Sequence, residues 1–379
     1  MITTETARLA LDTILRKPDK RVPSYFLNIM EHSMIERIAG ANAGDYVKDP
    51  HGVYIRMIQA LDTCLLDQYL AENPLTMGDH GFDGKAPGAT TGAGSVIRDG
   101  MVVDSPEAVV EHMERFVFPS IQAQIDAFDE DARVDQILSK EARIQEMLGA
   151  GILKTGYGFV AFPAFAYGTY GYVNYFSAYA LYPDVMEKHF KLQADFALAN
   201  NQAAARAYDE GDLPPLYRLD SDMADSRGTL VNVKTLDKIW FPHFARCLEP
   251  MLRTNVNMLW HCDGNLMEMV PRLVDCGIAG FQGFQYEDGM DYERICRMKT
   301  RDGEELIICA GVSVTRTLPM GTPSDVKREM DWLVKHGPKT GLFLSVSSSV
   351  APGVPWENLQ TLFEGLRYYQ THGREESSQ

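Results

Sequence analysis

The alternation of short apolar runs with longer amphipathic ones constrains the fold of this chain most. Helical patterns separate the apolar runs, and such alternation is typical of parallel βα units, because parallel strands need a long crossover connection. Eight units predict an α/β fold of the (β/α)8 barrel type, in which active sites form at the C-terminal ends of the strands. The eight β-like runs are 21–29, 63–70, 155–163, 216–223, 257–263, 278–284, 306–313 and 341–348.

Helix start signals support this division of the chain. The run 105–128 begins with Ser-Pro-Glu and the run 322–337 with Thr-Pro, which are typical helix N-termini. Long amphipathic patterns also predict helices over 182–211 and 355–373. We predict one barrel domain over residues 1–372, with an insertion around residues 74–150 and a disordered tail over residues 373–379.

Composition argues against several classes of partner. The 379 residues include 36 Lys+Arg and 52 Asp+Glu, so the formal charge is −16. An acidic surface repels nucleic acid and anionic membranes, and no apolar run reaches the length that spans a bilayer. The acidic, helix-like N-terminus does not resemble a secretory signal, and the six cysteines form no CxxC pair. We therefore expect free thiols and a cytoplasmic location.

The sequence LWHCDGN (259–265) carries the strongest chemical signal. Side chains alternate along a strand, so His261 and Asp263 share one face while Cys262 points to the other. Gly264 ends the strand, which puts both polar groups at its C-terminal end. They are candidate metal ligands or acid–base groups. The alternative is a buried His–Asp hydrogen bond that only seals the barrel.

Other strand ends add polar candidates. Asp222 ends the fourth β-like run and is a third catalytic candidate, while Glu287, after the sixth run, is a candidate third metal ligand. Arg316, after the seventh run, could bind an anionic group or form a surface ion pair. Ser348 and its serine neighbours end the eighth run without the sharp GxSxG turn of a serine nucleophile, so we interpret them as substrate or water contacts.

The third β-like run opens an aromatic segment, defined here as residues 156–183, which contains eleven aromatic residues. Its repeated Gly-Tyr pairs suit a loop wall that faces a flat or apolar ligand, with tight structural packing as the alternative. The residues that we predict to bind substrate are Asn28, Phe162, Tyr167, Tyr172, Tyr175, Gln285, Arg316 and Ser348.

Five motifs in order give the chain a resemblance to the uroporphyrinogen decarboxylase superfamily, which includes methyltransferases that serve corrinoid proteins. The resemblance is good over about residues 180–370 and weak before them, and it also implies a (β/α)8 barrel. The motifs are SDMADSRGTLVNVKTLDKIWFP (221–242), HCDGN (261–265), GMD (289–291), LPMGTPSDV (318–326) and GLFLSVSSSVAPGVPWENL (341–359).

Two departures from the family pattern decide which branch the chain is closer to. True uroporphyrinogen decarboxylases carry an arginine-rich N-terminal motif, and the corresponding 22–33 has no arginine. The methyltransferase branch holds zinc with a His, a Cys two residues later and a distant Cys. Carried over, these positions are His261, Asp263 and a place near Ser348, so both thiolates are lost and a harder His/Asp site remains. Such a site would hold zinc weakly or not at all, so zinc is the candidate cofactor, with Glu287 or water completing the site.

The resemblance implies a methyltransferase-type enzyme. It would move a methyl group between a small methylated compound, such as an aromatic O-methyl compound, and a corrinoid protein or another acceptor. The chain has no DxHxxG-type corrinoid motif, so cobalamin would arrive on a partner protein; relatives of the fold are also often homodimers. Two alternatives stay open: a lyase that decarboxylates a carboxylated or tetrapyrrole-like substrate, with Asp222 protonating the carbanion, and a non-catalytic ligand-binding barrel.

Overall fold

A computed structural model describes residues 4–72 and 92–374 of the chain. Its strands are β1 (Leu65–Leu66), β2 (Val96–Arg98), β3 (Met101–Val103), β4 (Leu153–Lys154), β5 (Leu216–Asp220), β6 (Ala224–Asp225), β7 (Gly228–Thr229), β8 (Asn257–His261), β9 (Ile278–Gln282), β10 (Ile307–Val312) and β11 (Leu342–Val346).

The helices alternate with these strands as the sequence predicts. They are α1 (Glu5–Ile14), α2 (His32–Ala39), α3 (Asp45–Lys48), α4 (Pro50–Ala60), α5 (Pro106–His112), α6 (Phe118–Asp126), α7 (Glu130–Leu148), α8 (Tyr167–Tyr170), α9 (Tyr172–Leu181), α10 (Pro183–Gly211), α11 (Val233–Ile239), α12 (Phe241–Arg253), α13 (Val270–Asp275), α14 (Tyr292–Arg297), α15 (Thr317–Met320), α16 (Pro323–His336) and α17 (Trp356–Thr371). A π-helical turn, Met113–Val117, joins α5 to α6, and a 3-10 turn spans Tyr286–Asp288.

The strands close into the expected barrel. Five parallel strands are neighbours in the order β5-β8-β9-β10-β11. Parallel bridges complete the ring: Ser24 pairs with Leu344 of β11, and Tyr25 with Leu65 of β1. Strand β1 pairs with β4, and Gly156 then pairs with Tyr217 of β5. Eight strand positions therefore follow one another around a closed parallel ring, which confirms the (β/α)8 fold.

Helix caps explain where several helices begin. Thr322 and Asp325 form a reciprocal capping box in front of α16, with Pro323 at its first position. The Ser105 hydroxyl accepts the N–H of Ala108 at the start of α5. The prediction of one helix over 105–128 needs a correction, because the π-helical turn interrupts the α-helix between α5 and α6.

The predicted strand over 155–163 is also wrong in its position. The barrel strand is β4, and only Gly156 beyond it bridges to the ring. The chain then leaves the barrel, because the Tyr217 hydroxyl accepts the N–H groups of Phe159 (2.7 Å) and Val160 (2.8 Å). A buried side chain thus replaces a neighbouring strand as hydrogen-bond partner at this point.

The predicted insertion is described only in part, since residues 73–91 lie outside the described residues. From residue 92 onward it contains the antiparallel hairpin β2–β3 and the helices α5 to α7. The predicted tail, residues 373–379, lies outside the described residues from position 375. The division into one domain stays a prediction. Among the described helices, none is long and apolar enough to cross a membrane.

Candidate active site

Three polar residues end neighbouring barrel strands. The β-sheet register pairs Asp220 of β5 with His261 of β8, and His261 with Gln282 of β9. We call these three residues the polar row. Because parallel strands end at the same face of a barrel, the row lies where active sites form in this fold.

Two further carboxylates gather around His261. One ligand atom from each of Asp222, His261 and Asp263 lies within 4.8 Å of the other two. The His261 Nε2 is 3.8 Å from Asp263 Oδ1, and the backbone N–H of Asp263 donates to Asp222 Oδ1 at 3.0 Å. His261 is buried, Asp263 is half-buried and Asp222 is exposed, so the group opens towards solvent on one side. We call these residues the acid–histidine group.

Neighbouring atoms orient the acid–histidine group. His261 Nδ1 lies 3.2 Å from the carbonyl oxygen of Gln282, a contact that leaves Nε2 to face the carboxylates. The Ser348 hydroxyl donates to Asp263 Oδ2 at 3.2 Å. The other oxygen, Asp263 Oδ1, is buried and has no hydrogen-bond partner among the described residues. It is therefore available to a ligand.

Burial and charge together perturb Asp263. Burial raises the pKa of its carboxyl, and the neighbouring Asp222 and Asp220 carboxylates raise it further. The charge of His261 and the hydrogen bond from Ser348 act in the opposite direction without cancelling the rise. Perturbed carboxyl groups in a cleft are typical of functional sites.

Two glycines permit this arrangement. Gly283 follows the polar row with φ +75°, and a Cβ atom there would lie 2.6 Å from His261 Nδ1. Gly264 has φ +85°, and a Cβ atom there would lie 2.6 Å from the Asp225 carbonyl oxygen. Only glycine combines this backbone conformation with such close approach. The glycine of the HCDGN motif therefore serves the tight turn that presents Asp263.

A cavity of about 210 Å³ opens beside the acid–histidine group. Drug-sized pockets are about 300–1,000 Å³, so this cavity suits a ligand of only a few heavy atoms. Most of its wall is polar. The lining residues are Tyr25, Phe26, Asn28, Gln68, Leu70, Arg218, Asp220, His261, Asp263, Gln282, Val346, Ser348 and Ser349.

The wall of this cavity contains a buried arginine that sequence reasoning missed. Arg218 Nε donates to Asp67 Oδ2 at 2.6 Å, and Nη1 donates to Asp220 Oδ2 at 2.8 Å. Nη1 and Nη2 also reach the side-chain oxygens of Gln282 (3.4 Å) and Gln68 (3.0 Å). Burial alone would lower the pKa of Arg218, but Asp67, Tyr25 and Asp220 raise it well above its usual range.

One signal for Arg218 was present in the sequence. It stands in the middle of the apolar run LYRLD, two residues before Asp220 and therefore on the same face of β5. A cation is rarely buried in a strand without a partner, so this position predicts a buried carboxylate nearby. Asp67, which follows Leu65 and Leu66, is that partner, but it lies 151 residues away along the chain.

The structure brings some of the predicted substrate residues to the cavity. Asn28 and Ser348 line it, and the Asn28 amide donates to Ser349 Oγ at 2.8 Å. Gln285 does not line this cavity; its side-chain oxygen accepts the N–H of Gly264 at 2.6 Å and so holds the turn after β8.

Glu287 and Arg316 lie elsewhere. Glu287 Oε1 accepts the hydroxyl of Ser313 at 2.5 Å and that of Thr315, and Glu287 is not part of the acid–histidine group. The structure thus puts Asp222 where the sequence placed Glu287 as third ligand. Arg316 lines a separate open cavity of about 640 Å³ together with Trp332.

The aromatic residues predicted to bind substrate pack mainly against one another. Tyr175 is 0% exposed, so its ring offers no surface to a ligand. Phe162 packs edge-on against Trp260, with ring centroids 5.5 Å apart. Tyr167 stacks on Tyr172 at 4.6 Å. The Tyr167 hydroxyl donates to the backbone oxygen of Asp222 at 3.2 Å, so it supports the acid–histidine group from outside the cavity.

Cys262 lies outside the acid–histidine group, as predicted. Its sulfur is buried and accepts the backbone N–H of Met223 at 3.3 Å. Burial raises the pKa of this thiol to about 12, so it is a poor thiolate ligand or nucleophile. All six cysteines of the chain are free.

Comparison with known proteins agrees with the fold and the motifs. Residues 221–369 match the family model of uroporphyrinogen decarboxylase (URO-D). Among solved structures, a methyltransferase from Methanosarcina mazei is similar with a TM-score of 0.56 and 15% sequence identity, over 96% of this chain and 98% of that chain. At this identity the likeness concerns the fold. A search of curated proteins finds no match.

Proposed function

We propose that the chain is a methyltransferase-type enzyme of the uroporphyrinogen decarboxylase superfamily, whose family model matches residues 221–369. It moves a methyl group between a small methylated compound and a corrinoid protein or another acceptor. The observation that carries this proposal is the acid–histidine group, Asp222, His261 and Asp263, at the C-terminal ends of the barrel strands. The fold shared with a methyltransferase supports it.

The acid–histidine group fits a zinc ion. One imidazole nitrogen and two carboxylate oxygens are an accepted zinc ligand set, and a fourth position would remain for a reactant. Asp263 Oδ1, buried and without a hydrogen-bond partner among the described residues, is the ligand atom that most needs a cation. When bound, zinc supplies a Lewis acid that lowers the pKa of a coordinated methyl acceptor.

The protein's own residues would keep this group ready for a reactant. Ser348 and the Gln282 carbonyl orient Asp263 and His261 from behind, which limits their rearrangement during a reaction. The Arg218 network fixes Asp220 on the adjoining strand. The cavity volume of about 210 Å³ restricts the substrate to a small molecule and leaves no room for a tetrapyrrole.

A direct test is anaerobic methyl transfer to reduced cobalamin, followed by the spectral change that accompanies methylation of cobalt. The substrates are small methylated amines, ethers and thioethers. We expect transfer from at least one of them, and a loss of roughly 10²-fold or more for His261→Ala and Asp263→Ala, the usual effect of removing a positioned catalytic group.

The matched control is Asp225→Ala. Asp225 lies two positions after Met223 in the chain and is not among the residues that line the cavity. Its Oδ2 pairs with Nη2 of the exposed Arg227 at 2.6 Å. It should keep the full rate. Carbon dioxide release from a carboxylated substrate without any cobalamin change would favour the lyase instead. Unchanged rates in both His261→Ala and Asp263→Ala would contradict the proposed site.

A further inference from the structure

The charges around the cavity are unbalanced. Among the described lining residues Arg218 is the one arginine or lysine, and it is shared by two carboxylates, Asp67 and Asp220. Arg218 and Asp67 are buried and balance each other, so Asp220, whose side chain is 33% exposed, leaves one negative charge in excess. Asp263 and Asp222 add two more carboxylates beside it. An excess of carboxylates around a partly enclosed cavity attracts cations, so the cavity favours a positively charged occupant.

Arg218 has little capacity left to bind a carboxylated ligand. Its guanidinium makes four hydrogen bonds, to Asp67, Asp220, Gln282 and Gln68, so one N–H donor remains of five. A substrate carboxylate is usually gripped by two parallel N–H donors. The guanidinium also lies against the Tyr157 ring at 4.8 Å, which covers one of its faces.

Two oxygen atoms at the cavity lack a donor and are not among the proposed zinc ligands. Asn28 Oδ1 and the Tyr25 hydroxyl are buried and have no hydrogen-bond partner among the described residues. Tyr25 is only 2% exposed, and both residues line the cavity. Buried polar atoms without a partner are rare in proteins and commonly mark a missing ligand. Each of these oxygens can accept a hydrogen bond, so they would be satisfied by N–H donors.

We infer that the cavity selects a small protonated methylamine, such as dimethylammonium, and excludes substrates that carry a carboxylate. This inference rests on the proposed function, which gives a methylated substrate, and adds that the substrate is positively charged. A methylammonium ion combines a positive charge, N–H donors and a size of a few heavy atoms. Bound zinc would neutralise the charges of Asp222 and Asp263. The two negative charges of Asp67 and Asp220 would still outnumber the single positive charge of Arg218.

Calorimetric titration of the zinc-loaded full chain tests this without any turnover. The probes are dimethylammonium chloride, uncharged isopropanol of similar size, and sodium acetate, all against potassium chloride at equal ionic strength. The potassium control is needed because the chain's charge of −16 attracts any cation. We expect dimethylammonium to bind at least about tenfold more tightly than isopropanol, because a hydrogen bond that involves a charged group contributes about that factor to affinity. We expect acetate not to bind, because the carboxylates around the cavity repel it.

Two variants locate the effect. Asp220→Asn should weaken dimethylammonium binding by about tenfold and leave isopropanol unchanged, because it removes one negative charge and keeps an oxygen for Arg218. Asp225→Asn, at an acid whose side chain is 35% exposed and lies outside the cavity lining, should change neither. Thermal unfolding of each variant checks that it is folded, and the comparison of the three probes on the unaltered chain does not depend on any variant.

Each outcome supports or overturns the inference. Equal or tighter binding of isopropanol or acetate overturns it, as does dimethylammonium binding that potassium chloride abolishes or that Asp220→Asn leaves intact. If the chain transfers a methyl group from an uncharged compound but does not bind dimethylammonium, the inference is wrong and the proposed function is supported. If dimethylammonium binding depends on Asp220 but no substrate gives methyl transfer, the inference is supported and the proposed function is wrong.

Discussion

The polar row and the aromatic segment meet where the Tyr157 hydroxyl donates to Asp220 Oδ2 at 3.1 Å, but only the polar row lines the cavity. The polar row lines a cavity whose wall also contains Arg218 and the unpartnered oxygens of Asn28 and Asp263. None of the residues of the aromatic segment is among those that line this cavity. The difference teaches that many aromatic rings in one segment indicate packing, whereas charged and polar side chains that line a cavity indicate a ligand.

Hydrogen bonding shows the same contrast. Beside the polar row, Arg218 donates charged hydrogen bonds to Asp67 and to Asp220, which lines the cavity. In the aromatic segment, the rings of Tyr167, Tyr172 and Phe176 stack within 6 Å of one another, between centroids. Stacked rings bury apolar area and exclude water. The aromatic segment therefore packs beside the acid–histidine group, where the Tyr167 hydroxyl donates to the Asp222 backbone oxygen.

Removing the arginine should have the largest effect on stability. Arg218→Met leaves Asp67, which is 2% exposed, buried without its cation. Urea unfolding should show a loss of about 3–5 kcal/mol, the usual cost of breaking a buried ion pair on one side. The matched control is Arg206→Met, an arginine whose side chain is 39% exposed beside Glu130; it should cost about 1 kcal/mol or less. Equal losses would show that the polar row is not held by this network.

Adding one methyl group beside the histidine should disturb the site selectively. Gly283→Ala would place Cβ 2.6 Å from His261 Nδ1, whereas Gly158→Ala, with almost the same φ (+77° against +75°), meets nothing within 4 Å. In both variants the strained backbone should lower the free energy of unfolding by roughly 1–2 kcal/mol. Only Gly283→Ala should also weaken zinc binding, by about 10–100-fold, because it displaces a ligand.

Competition with a chromophoric zinc chelator measures that difference between the two glycine variants. Zinc affinities that fall equally in Gly283→Ala and Gly158→Ala would mean that strain, and not the position of His261, controls the site.

The smallest effect is expected inside the aromatic segment. The Tyr175 hydroxyl is buried without a hydrogen-bond partner among the described residues, so Tyr175→Phe should change the free energy of unfolding by less than about 0.5 kcal/mol. Tyr217→Phe is the matched comparison, because its hydroxyl accepts two backbone N–H groups and its loss should cost about 1–3 kcal/mol. Thermal unfolding of the two variants in parallel checks this. A large loss for Tyr175→Phe would show that its hydroxyl contributes to the fold.

Much of the fold could be predicted from local patterns. The β-like runs from 216 to 348 each contain an observed barrel strand, and the caps at Ser105 and Thr322 begin the helices that they predict. These features depend on residues close together in sequence. The third strand was misplaced because its end is decided by Tyr217, a buried residue about 60 positions later.

The site could be predicted in part for the same reason. His261 and Asp263 share a face by strand alternation, which sequence reveals directly. The partner of Arg218 is Asp67 on another strand, and the third member of the acid–histidine group proved to be Asp222, not Glu287. Such pairings depend on barrel closure, which brings distant strand ends together and which no local pattern encodes.

The central claim is that Asp222, His261 and Asp263 form a metal site, and metal content tests it most directly. The full chain, purified without chelator, is measured by elemental mass spectrometry beside Asp263→Ala and the control Asp225→Ala, an acid outside the cavity lining. We predict about one zinc per chain in the unaltered protein and in Asp225→Ala, and its loss in Asp263→Ala. Zinc retained in Asp263→Ala, or no metal bound even after zinc is added to the unaltered chain, would contradict the account.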